Sequence, residues 1–334
     1  MPLRAGPGCL TVNFRENFNT RGAVIGFFIS NKCNFTCAHC CTESGPGESD
    51  LIPLSLLESF LQSAVLKEGV KAFHASGGEP FLFPQHLEMI SQHAAQHGKL
   101  FGVNTNAFWG RSKYIKDLLR NERLKGLTNL FISYSKWHAE FIDVNTVREA
   151  IECAISTNKT VELMIVYEGE DELGHYTREL TSNHPEMVVM RTHVEYIGRA
   201  ANLPRADSAR QYTEVISGCG EAKRPTLMSN GDFIACCNTV AYKAGADGLM
   251  AGSVFEKDSQ ILLEEYKKNL LFSAIAHVGP NLIAAALRVD STKNCHTSTD
   301  KCETCKGLLG NYDAADIETA LKNSGIIKLI DLSR

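Results

Sequence analysis

Residues 23–41 read Ala-Val-Ile-Gly-Phe-Phe-Ile-Ser-Asn-Lys-Cys-Asn-Phe-Thr-Cys-Ala-His-Cys-Cys. An apolar run of strand length, residues 23–30, passes straight into a loop carrying Cys33-x3-Cys37-x2-Cys40. A short apolar run ending in a polar loop reads as a buried strand. Five more such runs follow, at residues 71–76, 100–105, 129–134, 160–167 and 187–194, and stretches of helix length separate them. Between the first two runs, Leu56, Leu57, Phe60, Leu61, Ala64 and Val65 share one helical face. Pro53 and Ser55 lie near its start and Gly69 near its end, as helix punctuation requires. Further helices are predicted at residues 84–97, 112–123, 145–157 and 171–181. Six strand–helix alternations imply an α/β fold with a parallel sheet and right-handed crossovers. Six units suit an open, incomplete barrel or a doubly wound sheet better than a closed eight-stranded barrel. In either case ligands gather at the C-terminal strand ends.

The rest of the composition narrows the class. The chain has 334 residues, 44% hydrophobic and 22% charged, which excludes a disordered chain, a collagen or a coiled coil. A formal net charge of −4 supplies no general attraction to nucleic acid or anionic membrane, so neither is expected as a partner. Residues 1–8, Met-Pro-Leu-Arg-Ala-Gly-Pro-Gly, contain no apolar signal-peptide core. The longest apolar stretch, residues 270–287, is broken by His277, Gly279, Pro280 and Asn281. A membrane span needs about 20 apolar residues without such interruption, so a buried, bent helix pair is predicted, in a cytoplasmic protein.

Twelve cysteines are the abnormal feature. Without a secretory signal, clustered cysteines point to metal or redox chemistry more than to disulfides. Four are bunched at 33, 37, 40 and 41, and six more, at 219, 236, 237, 295, 302 and 305, lie in the last third. Cys9 and Cys153 stand apart, Cys153 at a core-facing helix position. A lone CxxC is often half a zinc knuckle. Three thiolates this close, with no fourth ligand nearby, fit an iron–sulfur cluster better. In a four-iron cube three cysteines leave one iron open to an outside ligand. Cys41 is the rival fourth ligand, but adjacent residues on a tight loop rarely aim at one cluster, and it reads as a packing or spare thiol.

Cys33-x3-Cys37-x2-Cys40, with the His39 ring where an aromatic usually sits, resembles the signature of the radical S-adenosylmethionine (SAM) enzymes, and the resemblance covers about residues 20–200. It implies a partial (β/α)6 barrel and a [4Fe–4S] cluster on Cys33, Cys37 and Cys40. The open iron would be chelated by the amino and carboxylate groups of SAM. An electron from a flavodoxin- or ferredoxin-type reductant would then cleave SAM to methionine and a 5′-deoxyadenosyl radical. After the second strand, Gly77-Gly78-Glu79-Pro80 resembles the family's GGE motif, which implies Glu79 as acceptor for the SAM ammonium. Glycine lets the backbone approach a ligand, and a carboxylate suits an ammonium. Thr105-Asn106-Ala107 stands where the family often has Thr-Asn-Gly, so Asn106 is a candidate SAM contact and Ala107 a departure expected to shift the loop. Ser133 and Ser135 occupy a Ser-x-Asp position with serine in place of Asp. Gly198-Arg199-Ala200 resembles an element near the SAM carboxylate, with Arg199 as a clamp. His138 and Glu140, after the fourth strand, are candidates to touch substrate, and local hydrogen bonding is the alternative for His138.

In the last third, Cys219-x11-Gly231-x4-Cys236 followed by Cys302-x2-Cys305 resembles the auxiliary-cluster domain called twitch, the short form of SPASM. The resemblance implies a second, fully ligated [4Fe–4S] cluster on these four thiolates; a structural zinc site is the rival. The expected organisation is a lead-in at 1–22, the barrel at 23–203, a linker at 204–218, the twitch domain at 219–310, and a C-terminal helix and tail at 311–334. The implied function is hydrogen-atom abstraction from a peptide or small natural-product substrate. Cys237 and Cys295 are left over. If one returns a hydrogen, the reaction is an epimerisation; if the auxiliary cluster takes an electron, it is an oxidation or crosslink. A non-catalytic iron–sulfur sensor or electron carrier is the competing class.

Overall fold

In the computed structural model, residues 14–64, 68–204, 218–236, 247–290 and 301–332 are described. A short helix, α1 (Phe14–Phe18), precedes β1 (Val24–Phe28), which is buried at every position. Then come α2 (Leu54–Ala64), β2 (Ala72–Ser76), α3 (Pro84–Gln96) and β3 (Leu100–Thr105). After these follow α4 (Lys113–Arg120), β4 (Asn129–Tyr134), α5 (Lys136–Ala139) and α6 (Val144–Ser156). β5 (Thr160–Tyr167), α7 (Glu170–Thr181) and β6 (Val188–His193) complete the alternation. All six predicted strands are present, with bounds within two residues of the sequence reading. The apolar face of α2 buries Leu57, Phe60, Leu61 and Ala64.

Each of β1 to β5 pairs in parallel with the next strand, from Val24 opposite Ala72 to Tyr167 opposite His193. The order β6-β5-β4-β3-β2-β1 never reverses. A doubly wound sheet has a switch point; a monotonic order winds one way, and the result is an open, partial (β/α)6 barrel. Three short strands continue the same sheet beyond β1. β7 (Thr226–Leu227) lies parallel to β1, while β8 (Asp232–Ile234) and β9 (Met250–Ser253) follow antiparallel. With two to four residues each, they carry too little periodicity to be seen in the sequence.

The barrel interior is closed at its N-terminal end by α1. Phe14 meets Phe131 with ring centroids 5.5 Å apart and packs with Val24 and Ala72. Outside the sheet, the helices bury the main core, which includes Phe27, Phe73, Phe101 and Leu130. The apolar stretch near residue 280 forms two helices, Leu270–His277 and Pro280–Asp290, bent by 116° at the break. Among the described residues, no single helix is long and apolar enough to cross a membrane. The C-terminal helix Ala314–Asn323 is capped by Asp313, whose side chain accepts from the Asp316 N–H.

Candidate active site

The loop after β1 is held at its base by backbone bonds from Cys33 N to Gly45 O and from Gly45 N to Asn31 O, both 3.1 Å. The Asp50 carboxylate accepts the Asn31 N–H at 3.0 Å. Cys40 N donates to Cys37 O at 3.1 Å, turning the loop back so that Cys33, Cys37 and Cys40 all line one cavity of about 300 Å³ at the C-terminal strand ends. Donors are aimed at these sulfurs. Phe35 N–H lies 3.4 Å from Cys33 Sγ, and Asn106 Nδ2 lies 3.8 Å from it. The Thr42 hydroxyl lies 3.4 Å from Cys40 Sγ. Hydrogen bonds to sulfur are what an iron–sulfur site uses to tune its cluster, so the donor set fits the group. Burial pushes the Cys33 and Cys37 thiols up to about 12, with Arg199 opposing; metal binding must displace those protons.

Gly77 and Gly78 line the same cavity because the β2 loop presses onto the entry to the cysteine loop. Gly77 has φ +134°, and a Cβ on Gly78 would stand 2.1 Å from Lys32 O, so glycine is required at both. Gly78 N donates to Ser30 O at 2.7 Å and Glu79 N to Lys32 O at 3.0 Å. The Glu79 side chain does not follow the expected direction. It is 1% exposed and is not among the cavity-lining residues. Oε1 accepts from Phe81 N–H (3.0 Å) and the Thr105 hydroxyl (2.9 Å), and Oε2 from Asn106 N–H (2.7 Å). Glu79 thus ties the β2 loop to the β3 loop. Burial raises its carboxyl to about 7 against those three donors.

Asn106 lines the cavity; its Nδ2 donates to Asn34 Oδ1 at 3.0 Å and its Oδ1 accepts from Phe108 N–H. Ala107 is fully buried at φ +60°, ψ +18°. The alanine takes the left-handed conformation that glycine adopts freely. Arg199 also lines the cavity, but Nε donates to Cys37 O (3.0 Å) and Nη2 to Ser44 O (2.7 Å). Two of its donors therefore brace the cysteine loop, a role the sequence reading missed. Gly198 at φ +58° allows this approach, since a Cβ there would meet Cys41 O at 2.5 Å.

After β4 the two serines part. Ser133 lines the cavity; Ser135 is fully buried, and its Oγ lies 2.8 Å from His138 Nδ1. His138 lines the cavity, whereas Glu140 is exposed and does not. His39 lines it as well, its ring stacked on Trp137 at 4.6 Å and edge-to-face with His138 at 4.9 Å. Burial lowers His39 to about 4 and His138 to about 3, so both rings are neutral. The sequence reading did not single out Ser76, Asn104, Thr192, His193 or Glu195, which line the cavity too. The inward alternation of the strands, period two, was the available signal for Ser76 and Asn104.

Cys219, Cys236, Cys302 and Cys305 line a second, smaller pocket with Ala222, Leu249 and Ile275. Backbone N–H groups of Ala222 and Glu221 bond to Cys219, while burial raises its thiol and pushes that of Cys305 up to about 12. Four thiols around one apolar pocket suit a cluster or metal. Among the described residues no three His, Cys, Asp or Glu side chains converge on a single-ion position. Cys9, Cys237 and Cys295 lie outside the described residues.

Comparison with known proteins gives the following. The family model described as the radical SAM superfamily matches residues 27–173. Molybdenum cofactor biosynthesis protein 1 of Homo sapiens is 29% identical over 94 residues, and that of Mus musculus 28%. The aligned stretch spans 27% of this chain and only 15% of those relatives. Among solved structures, BtrN in complex with AdoMet and 2-DOIA aligns at TM-score 0.41 and 11% identity, over 76% of this chain and 87% of that one. Streptococcus suis SuiB bound to S-adenosylmethionine aligns at 0.43 and 17%, over 88% and 71%. Residues 27–173, less than half of the chain, are thus similar to a radical SAM superfamily domain.

Proposed function

We propose that the enzyme abstracts a hydrogen atom from an unactivated carbon of a peptide or small natural product, and that its last third holds an auxiliary [4Fe–4S] cluster. The observation carrying the second part is the convergence of Cys219, Cys236, Cys302 and Cys305 on one pocket. Cys33, Cys37 and Cys40 would hold a [4Fe–4S] cluster, which would supply the electron for cleavage of SAM. The chain's own residues hold the cysteine loop through Arg199, Asp50 and Asn106. The barrel below them, closed by Phe14 and Phe18, keeps water from the radical.

A flavodoxin- or ferredoxin-type protein is the proposed reductant, and the barrel (23–203) and twitch (219–310) boundaries are retained as proposed units. Within this class we favour epimerisation, with Cys237 or Cys295 as the thiol that returns hydrogen. Anaerobic reconstitution should load about eight irons per chain, as two four-iron clusters require. About four irons with stoichiometric zinc would overturn the auxiliary cluster. Once a substrate is in hand, an epimer that keeps its mass in water and gains one deuterium in heavy water supports the thiol donor. A product lacking two hydrogens supports oxidation with the auxiliary cluster as acceptor.

A further inference from the structure

We propose that His138 is a SAM-positioning residue, an N–H donor locked toward the cavity by Ser135. The inference rests on the reading of this cavity as the SAM site. Ser135 is completely buried, and the partner of its Oγ is His138 Nδ1, 2.8 Å away. A buried hydroxyl needs an acceptor for its proton. With Nδ1 as that acceptor, the imidazole proton must reside on Nε2.

Nε2 makes no hydrogen bond among the described residues and is not sealed from solvent, and the residue lines the cavity. The ring's orientation is fixed on a second side by the edge-to-face contact with His39, itself stacked on Trp137. The backbone helps: Ser135 O accepts both His138 N and Ala139 N at 3.0 Å, so the short helix α5 carries the ring at a set distance from the serine. The imidazole therefore presents its Nε2–H as a donor to the cavity. Its complement is an acceptor atom, a ribose oxygen or adenine nitrogen of the nucleoside half of SAM.

The test uses anaerobically reconstituted full-length enzyme, with SAM, 5′-deoxyadenosine and methionine as separate probes in equilibrium binding. His138→Phe keeps the ring stack and removes the donor. Ser135→Ala keeps the imidazole and removes the tautomer lock. Both should weaken SAM and 5′-deoxyadenosine by about threefold to tenfold, the scale of one hydrogen bond, and leave methionine and iron content unchanged. His138→Gln, which restores an N–H donor, should recover part of the loss. Wild-type affinity in His138→Phe, or an equal loss with methionine, overturns the proposal. If wild-type enzyme itself fails to bind SAM, the reading of the cavity falls instead. Should Ser135→Ala lose iron or fold, the His138→Phe and His138→Gln pair decides alone.

Discussion

Cys302 Sγ donates to Glu195 Oε2 across 3.0 Å. Glu195 lines the large cavity after β6, and Cys302 lines the small pocket of the last third, so one hydrogen bond joins the two cysteine sites. The pairing spans 107 residues. The shared sheet explains how it is possible: β7 extends the barrel at β1 and seats the last third against the mouth of the barrel. Ser229 adds a second tie, donating to Asp50, the residue that holds the base of the first cysteine loop.

This contact separates two cysteines that otherwise look equivalent. Cys302→Ala removes a thiol of the second site and the donor to Glu195; Cys305→Ala removes a thiol of the same site and leaves that donor in place. Both variants should lose second-site iron and keep the first cluster. Compared with each other in that state, Cys302→Ala should differ from Cys305→Ala in SAM affinity by about twofold to tenfold, one hydrogen bond's effect. Equal affinities would show that the contact leaves the cavity unaffected.

Gly78→Ala should be far more disruptive than its size suggests. The new methyl would stand 2.1 Å from Lys32 O and 2.9 Å from Asn31 O, both backbone atoms that cannot turn aside. Separating the β2 loop from the cysteine loop also breaks the 2.7 Å bond from Gly78 N to Ser30 O. Expected are a loss of about 2–4 kcal/mol of stability, in the range of strain and overpacking, and loss of first-site iron. Iron content and a denaturant midpoint near wild type would contradict the packing described.

Much of the fold was legible because β1 to β6 and their helices write their burial into local periodicity, and the cysteine loop into spacing. What was not legible depends on contacts between distant residues. Arg199 reaches Cys37 O over 162 positions, and nothing near Arg199 announces it. Glu79 was read toward a ligand because its motif is local, yet its donors at Thr105 and Asn106 arrive from β3. Ser135 resembled a cavity residue until its burial and its bond to His138 placed it one layer behind.

Glu79 gives a pH dependence of determinate sign. Burial raises its folded-state pKa from an ordinary 4.5 to about 7, so between these values the folded chain binds more protons than the unfolded one. Its stabilising contribution is complete below about pH 4.5 and is lost as pH rises through 7. In metal-free protein the loss is on the order of 3 kcal/mol. Denaturation at pH 5 and pH 8 should show wild type losing more stability than Glu79→Gln over that interval. The glutamine variant should be less stable at both values, because its amide NH₂ must oppose a backbone N–H of Phe81 or Asn106. An identical pH slope in the two proteins would mean that Glu79 is ionised throughout.

Arg199→Lys tests the brace on the cysteine loop. The guanidinium reaches Cys37 O and Ser44 O with two nitrogens at once, a fork that the single ammonium of lysine cannot reproduce. Lysine keeps the positive charge, so electrostatic attraction to the thiolates survives while the geometry is lost. The backbone bond from Arg199 N to Cys40 O is also unaffected. The loop should therefore still assemble a cluster but hold it less firmly. Iron release to a chelator should accelerate about tenfold, in line with two hydrogen bonds worth about 0.5–1.5 kcal/mol each, with little change in initial iron content. Arg199→Ala, which removes charge and fork together, should lower initial iron content as well. If the lysine variant released iron at the wild-type rate, Arg199 would act through its charge alone.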